Sequence, residues 1–153
     1  MKTNSGKKGA GMPVVRNPQF NFREGFCWSD INTTYLKCRK KDKSINDVKS
    51  MSMYGASEKV PEYYIVSLIN SNFISEYVDN FINNTQTFQI NDARQLPIIV
   101  PNSQQLDSIY LLYREAIQIK KNFFQNNNIT LCTKLLFDIQ EKLDRIVIEL
   151  YEV

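Results

Sequence analysis

The chain predicts an α/β (α+β) fold: a small mixed or antiparallel sheet with one packed helix, followed by an antiparallel helix pair at the C-terminus. Two observations predict it. Before residue 60 the sequence breaks into short runs of β-branched and aromatic residues separated by turn residues, the pattern of strands and turns. After residue 61 apolar residues recur every three or four positions over long stretches, the helical period, with one return to shorter runs between 85 and 100.

Residues 1–12 hold three glycines and three lysines among polar neighbours and read as a flexible lead-in. MPVVRN from Met12, FNFREGFCWSDI from Phe20 and TTYLKCRKK from Thr33 follow as expected strands, punctuated by Asn17-Pro18 and Glu24-Gly25. KSMSMYG, Lys49 to Gly55, alternates Met and Tyr with Ser as a half-buried strand does, and Gly55 supplies the turn that ends it. Pro61 and Glu62 open a helix predicted to run to Ile82, because Ile65, Leu68, Ile69, Phe73, Ile74, Tyr77, Val78, Phe81 and Ile82 keep the helical interval and proline suits a first turn. Thr85 to Ile90 returns to a strand pattern, and Leu96 to Val100 is a short apolar segment closed by Pro101. Ser103 is expected to cap a second long helix carrying Leu106, Ile109, Tyr110, Leu112, Tyr113, Ala116 and Ile117. The run Asn126, Asn127, Asn128 should end it. A last helix from Thr130 to Tyr151 places Leu131, Leu135, Phe137, Ile139, Leu143, Ile146, Val147 and Leu150 along its sides, and two such helices joined by a polar turn predict an antiparallel pair. The expected division is a lead-in over 1–12, a sheet-containing unit over 13–101 and a helical extension over 102–153.

At 153 residues the chain has the size of one ordinary domain. No apolar run approaches the roughly 20 residues that span a bilayer, so no membrane partner is expected. The basic N-terminus lacks the apolar block of a secretory signal, which leaves a soluble cytoplasmic protein as the expectation. Cys27, Cys38 and Cys132 are an odd number at wide spacing, and the chain has no histidine. That argues for reduced cysteines, against a zinc site, and against any Ser-His-Asp or Cys-His arrangement. GKKGAG, Gly6 to Gly11, matches neither a phosphate-cradling loop nor a dinucleotide fingerprint. Asp30 and Asp42-Lys43 are too ordinary a set to define a Mg²⁺-dependent nuclease. The chain alone is therefore read as non-catalytic, with no cofactor of its own.

The formal charge of +3 hides an asymmetry. Residues 1–60 carry twelve Lys/Arg against five Asp/Glu, a net of +7, whereas residues 61–153 carry seven against eleven, a net of −4. A basic half favours a polyanion, because each neutralised phosphate releases condensed counterions. A solvated basic face without a partner has the same composition.

Specific motifs favour the polyanion. NFREGFCWSDI, Asn21 to Ile31, resembles the Phe/Tyr-Phe-x-x-Gly-x-x-Trp-Ser-x-Ile strand that opens target recognition domains in N6-adenine DNA methyltransferases and fused type II restriction-modification enzymes, with Cys27 where threonine is usual. YYIVSLINSNFISEYV is similar to the family's Leu-x-Asn-Ser helix through Leu68, Asn70 and Ser71. TQTFQINDARQLPIIVPNSQQ resembles the strand, the Leu-Pro-Ile segment and the Pro-x-x-x-Gln helix start shared with type I specificity subunits. LDRIVIELYEV looks like the Asp-x-Ile-Val-x-x-Leu-Tyr ending of many such methyltransferases. The matches keep the family's order and cover residues 20–153. The resemblance implies a TaqI-like C-terminal specificity domain over 13–101 that docks on double-stranded DNA, with helices over 102–153 holding it to a methyltransferase or nuclease part in cis or in trans. It also implies a parent adenine-specific DNA methyltransferase of a bacterial restriction-modification or phage-defence system, whose S-adenosylmethionine loop and Asn-Pro-Pro-Tyr/Phe motif are missing from these residues. The chain is accordingly expected to be a C-terminal piece or a truncated gene product.

Lys37, Arg39, Lys40, Lys41 and Lys43 are the candidates for phosphate contacts. Lys59 belongs to the same basic half. Arg16 and Arg23, beside Phe20, Phe22 and Trp28, are candidates for a base edge, because arginine forks onto guanine O6 and N7; Trp28 itself reads as core. Tyr54 and Ser57 precede the first helix and are candidates for a phosphate, although a plain turn fits as well. Gln86 is a candidate partner for adenine. The competing expectation is a non-catalytic interaction module that docks another subunit through its C-terminal helices.

Overall fold

A computed structural model of the chain describes residues 17–45, 50–126 and 128–152. The lead-in, the segment expected to be a strand before Asn17, Arg16 and Lys49 lie outside the described residues.

Three strands, β1 (Gly25–Ser29), β2 (Cys38–Lys41) and β3 (Ser50–Met53), form an antiparallel sheet in the order β2-β1-β3. Phe26 and Trp28 of β1 stand opposite Lys40 and Cys38 of β2, and opposite Met53 and Met51 of β3. Residues directly opposite point to the same face, so this face gathers Phe26, Trp28, Cys38 and the methionines toward the helices. Cys27 points the other way and is buried too, which explains why β1 reads as a continuous apolar run. Gly25 permits the pairing with β3: a Cβ there would lie 2.3 Å from the Met53 carbonyl oxygen.

Helix α1 (Glu62–Ile69) packs on β2 and β1. The expected single helix to Ile82 instead breaks at Asn70 and Ser71. Asn70 turns its amide to β2, where Nδ2 donates to the Cys38 carbonyl at 2.8 Å and Oδ1 accepts from the Cys38 N–H at 2.8 Å. Ser71 Oγ donates to the Leu68 carbonyl and accepts from the Ile74 N–H, capping a new helix, α2 (Asn72–Tyr77). Short polar side chains compete here with the helical backbone ladder, which apolar spacing does not register. A π-helical turn over Val78–Ile82 completes the run.

The expected strand from Thr85 to Ile90 is also corrected. It contributes an isolated bridge, Ile31 with Thr87, and Ile90 already opens a short helix, α3 (Ile90–Ala93). The Asp92 carboxylate accepts from the Gln89 N–H at 2.7 Å, and this local cap outcompetes extension of the strand. The segment still ties down the end of β1: Phe88 N–H donates to the Asp30 carbonyl, Asn32 N–H to the Gln86 carbonyl, and Trp28 Nε1 to the Phe88 carbonyl at 2.9 Å. Leu96 to Val100 is extended without being a strand.

Two long helices close the chain, α4 (Ser103–Asn126) and α5 (Ile129–Tyr151), packed on each other. Asn102 rather than Ser103 caps α4, through reciprocal bonds in which Gln105 N–H donates to Asn102 Oδ1 and Asn102 N–H donates to Gln105 Oε1, each 2.9 Å. Asn128 caps α5. Near the sheet, Ile109 of α4 and Leu143, Val147 and Leu150 of α5 join Phe26, Trp28, Tyr64, Leu68, Ile74 and Phe88 in one apolar cluster. The helix pair thus shares the core of the sheet unit. Asp144 of α5 accepts from the Asn72 N–H at 2.8 Å and from Asn72 Nδ2 at 2.7 Å, so it fastens α5 to the start of α2. No described helix is long and apolar enough to cross a membrane.

Candidate nucleic-acid interface

Strand β2 is an edge strand, so its side chains reach solvent from both faces of the sheet and along its outer rim. Lys37, Arg39, Lys40 and Lys43 are exposed on this strand and the residues flanking it. Arg39 and Lys40 lie on the strand itself, Lys37 precedes it and Lys43 follows it in a bend. Among the described residues the ion pair is Lys40 with Asp42 at 3.0 Å, and that contact raises the Lys40 pKa. Lys37 holds its ammonium 4.9 Å from the Tyr35 ring centroid.

Lys41 does not belong to this surface. It is buried, and its ammonium donates to the carbonyls of Arg23 at 2.7 Å, Ser44 at 2.9 Å and Asp42 at 3.3 Å. A phosphate contact would require breaking that cage, so the expected role of Lys41 is replaced by a structural one: it folds the segments before β1 and after β2 onto each other. Burial is tolerated because three carbonyl dipoles replace water around the charge.

The cage orders Arg23. Phe20 and Tyr54 stack with ring centroids 5.3 Å apart, and the exposed Arg23 guanidinium lies 5.4 and 5.3 Å from the two centroids. Stacking holds the planar group in place while leaving its donors toward solvent. Tyr54 is half-buried and acts as platform, its hydroxyl donating to the Phe20 carbonyl at 3.4 Å. Phe22, next to Arg23, has a left-handed backbone (φ 58) and a ring 60% exposed. A bulky residue in that region costs about 1–3 kcal/mol and persists only where surroundings dictate it, here the bond from its N–H to the Ser44 carbonyl.

Two other candidates lie on the exit from β3. Ser57 accepts the Val60 N–H at 3.1 Å in the turn before α1, and Lys59 is exposed two residues on. Ser57 is brought beside Lys40, both lining a cleft of about 490 Å³. Gln86 stands past the Ser29 end of β1, in the wall of a different cleft shared with Leu36, Glu76 and Asp79. No family model matches this chain, and no curated protein does.

The residues carrying the resemblance have identifiable work in the fold. Trp28 is buried with its indole N–H satisfied, Asn70 clamps β2, Ser71 caps α2, and Asp144 locks α5 to that cap. Burial pushes the Cys38 thiol up to about 12, with the nearby Cys27 adding to the shift, and all three cysteines are buried and free. The helical period of α4 carries Tyr110 and Tyr113, and the sequence singles out no role for Tyr63. In the fold the three rings meet beside Lys40, with Tyr63 5.0 Å from Tyr110 and 6.1 Å from Tyr113. Their spacing of three on α4 was visible, but their meeting with Tyr63 depends on the α1 and α4 packing.

Proposed function

We propose that this chain is the DNA sequence-recognition module of a bacterial restriction-modification or phage-defence adenine-specific DNA methyltransferase, acting in the cytoplasm and performing no catalysis itself. The observation that supports it most is the edge strand β2, whose exposed cations Lys37, Arg39 and Lys43 have no ion pair among the described residues. Arg23, stacked on its aromatic platform beside the exposed Phe22, is the best-ordered group for a base edge. Phosphate contacts fix register and orientation, and the arginine supplies sequence information. S-adenosylmethionine and the transfer chemistry belong to the partner part. A selection from randomised duplexes at low and moderate salt tests this reading: enrichment of a defined sequence is expected, and recovery of an unenriched pool contradicts it.

A second reading rests on a separate observation. The sheet-remote halves of α4 and α5 leave Phe124, Ile129, Leu131 and Phe137 more than half exposed. Such an apolar surface on charged helices fits a docking module for another subunit. It is compatible with DNA recognition, because the docking surface and the basic edge lie at different ends of the molecule.

A further inference from the structure

Resting on the DNA reading above, we propose that the cleft beside Lys40 holds one unpaired nucleobase bearing an exocyclic amino group. Tyr63 of α1 and Tyr110 and Tyr113 of α4 present a cluster of rings there, and Tyr110 is 41% exposed. Lys40, ion-paired with Asp42, lines the cleft, and Arg114, which lines a neighbouring one, lies 5.6 Å from the Tyr110 centroid, so positive charge adjoins the aromatic surface. Aromatic faces next to cations bind nucleic acid by stacking on the base while the charge attends the phosphate. Burial raises the Tyr113 and Tyr63 phenols further above physiological pH, at which a tyrosine is already a neutral donor.

The same cleft is also lined by Glu58 and Glu62. Their carboxylates disfavour a phosphate and accept from donors instead, and adenine, cytosine and guanine each supply an exocyclic amino group. An unpaired thymine has only its N3–H donor, set between two carbonyl acceptors that the same carboxylates repel. The cleft is wide and open to solvent, with a volume of about 490 Å³. A base reaches it only when unstacked from its helix, as bulged or extruded bases are. The phosphates on either side would then lie toward Lys40 and Arg114.

The test uses the full chain and three otherwise identical duplexes: perfectly paired, with one bulged adenine, and with one bulged thymine. The bulged adenine is expected to bind about tenfold more tightly than the paired duplex, the order of one base stacked on an aromatic ring. Tyr110→Leu should remove that preference and leave paired-duplex affinity unchanged, while Tyr110→Phe keeps it; circular dichroism verifies the fold of both. Equal binding of the paired and adenine-bulged duplexes, or a preference that survives Tyr110→Leu, overturns the inference and leaves the DNA reading standing. Equal binding of the two bulges overturns the assignment to amino-bearing bases. Absence of binding to all three duplexes overturns both the inference and the DNA reading.

Discussion

The edge strand β2 with its flanks and the outer half of the helix pair both expose large side chains, and they expose opposite chemistry. Along β2, long cationic side chains project from a backbone anchored on one side by β1 and held by Asn70 through both polar groups of Cys38. Along the outer α4 and α5, large apolar side chains project from two helices that pack on each other. A rigid edge carrying charge fits a charged, regularly spaced ligand, because its positions are fixed before binding. A bare apolar hairpin fits a partner that buries it permanently.

The largest effect that separates the two regions is on stability. Trp28→Ala removes the fully buried indole and its bond to the Phe88 carbonyl, and should lower unfolding free energy by about 3–5 kcal/mol. Phe124→Gln, on an exposed side chain of the hairpin, should change it by no more than about 0.5 kcal/mol. Urea denaturation of both reads the contrast, and comparable losses would mean that the hairpin is covered in the isolated chain.

Lys41→Met sharpens the comparison within the basic strand itself. Three carbonyls lose a charged donor, so a loss of about 2 kcal/mol is expected, with no change in the salt dependence of duplex binding. A reduced salt slope with stability intact would return Lys41 to the contact surface.

A pH effect comes from the joint between the regions. Burial raises Tyr151, whose hydroxyl donates to the Pro97 carbonyl, to about 12, and raises Tyr64 as well. Tyrosine in the unfolded chain ionises near pH ~10. These phenols are held neutral by the fold, so their contribution is complete below pH ~10 and is lost as pH rises through the folded value. Thermal midpoints should fall between pH 10 and about 12, and Tyr151→Phe should flatten the fall. A midpoint that is flat across this window in the unsubstituted chain would contradict the burial of these hydroxyls.

The smallest expected effect concerns Phe22. Phe22→Gly relieves the left-handed backbone and should raise stability by up to about 1 kcal/mol while weakening duplex binding. A variant that binds as tightly as the original would show that the exposed ring takes no part.

How far the sequence could be read depends on whether each feature is set locally. The helices at Glu62, Ser103 and Ile129 follow from apolar period and caps held within a few residues, β1 follows from its aromatic run and β3 from the alternation of Met with Ser, whereas β2 holds only the Cys-Arg-Lys-Lys end of its expected strand. The break at Asn70 was not legible, because it depends on an amide reaching a strand 32 residues earlier. The strand pattern at Thr85 lost to a side-chain cap at Asp92, a local choice that alternation of residue types does not reveal. In the candidate site the exposed lysines were legible from composition. The burial of Lys41 was not, since in antiparallel pairing alternate residues of one strand face different surroundings, and which faces water depends on the chain before β1. The tyrosine cluster required two helices to be placed side by side.

The central claim is that Lys37, Arg39 and Lys43 face a polyanion from one edge. Duplex affinity measured against salt for the full chain and for a Lys37→Gln, Arg39→Gln variant tests it most directly. The expected slope of log affinity on log salt is about −3 for the unsubstituted protein, from about −0.9 per phosphate engaged by Lys37, Arg39 and Lys43, and shallower by about 2 in the variant. A slope that is the same in both proteins, or no duplex binding at low salt, would contradict the claim.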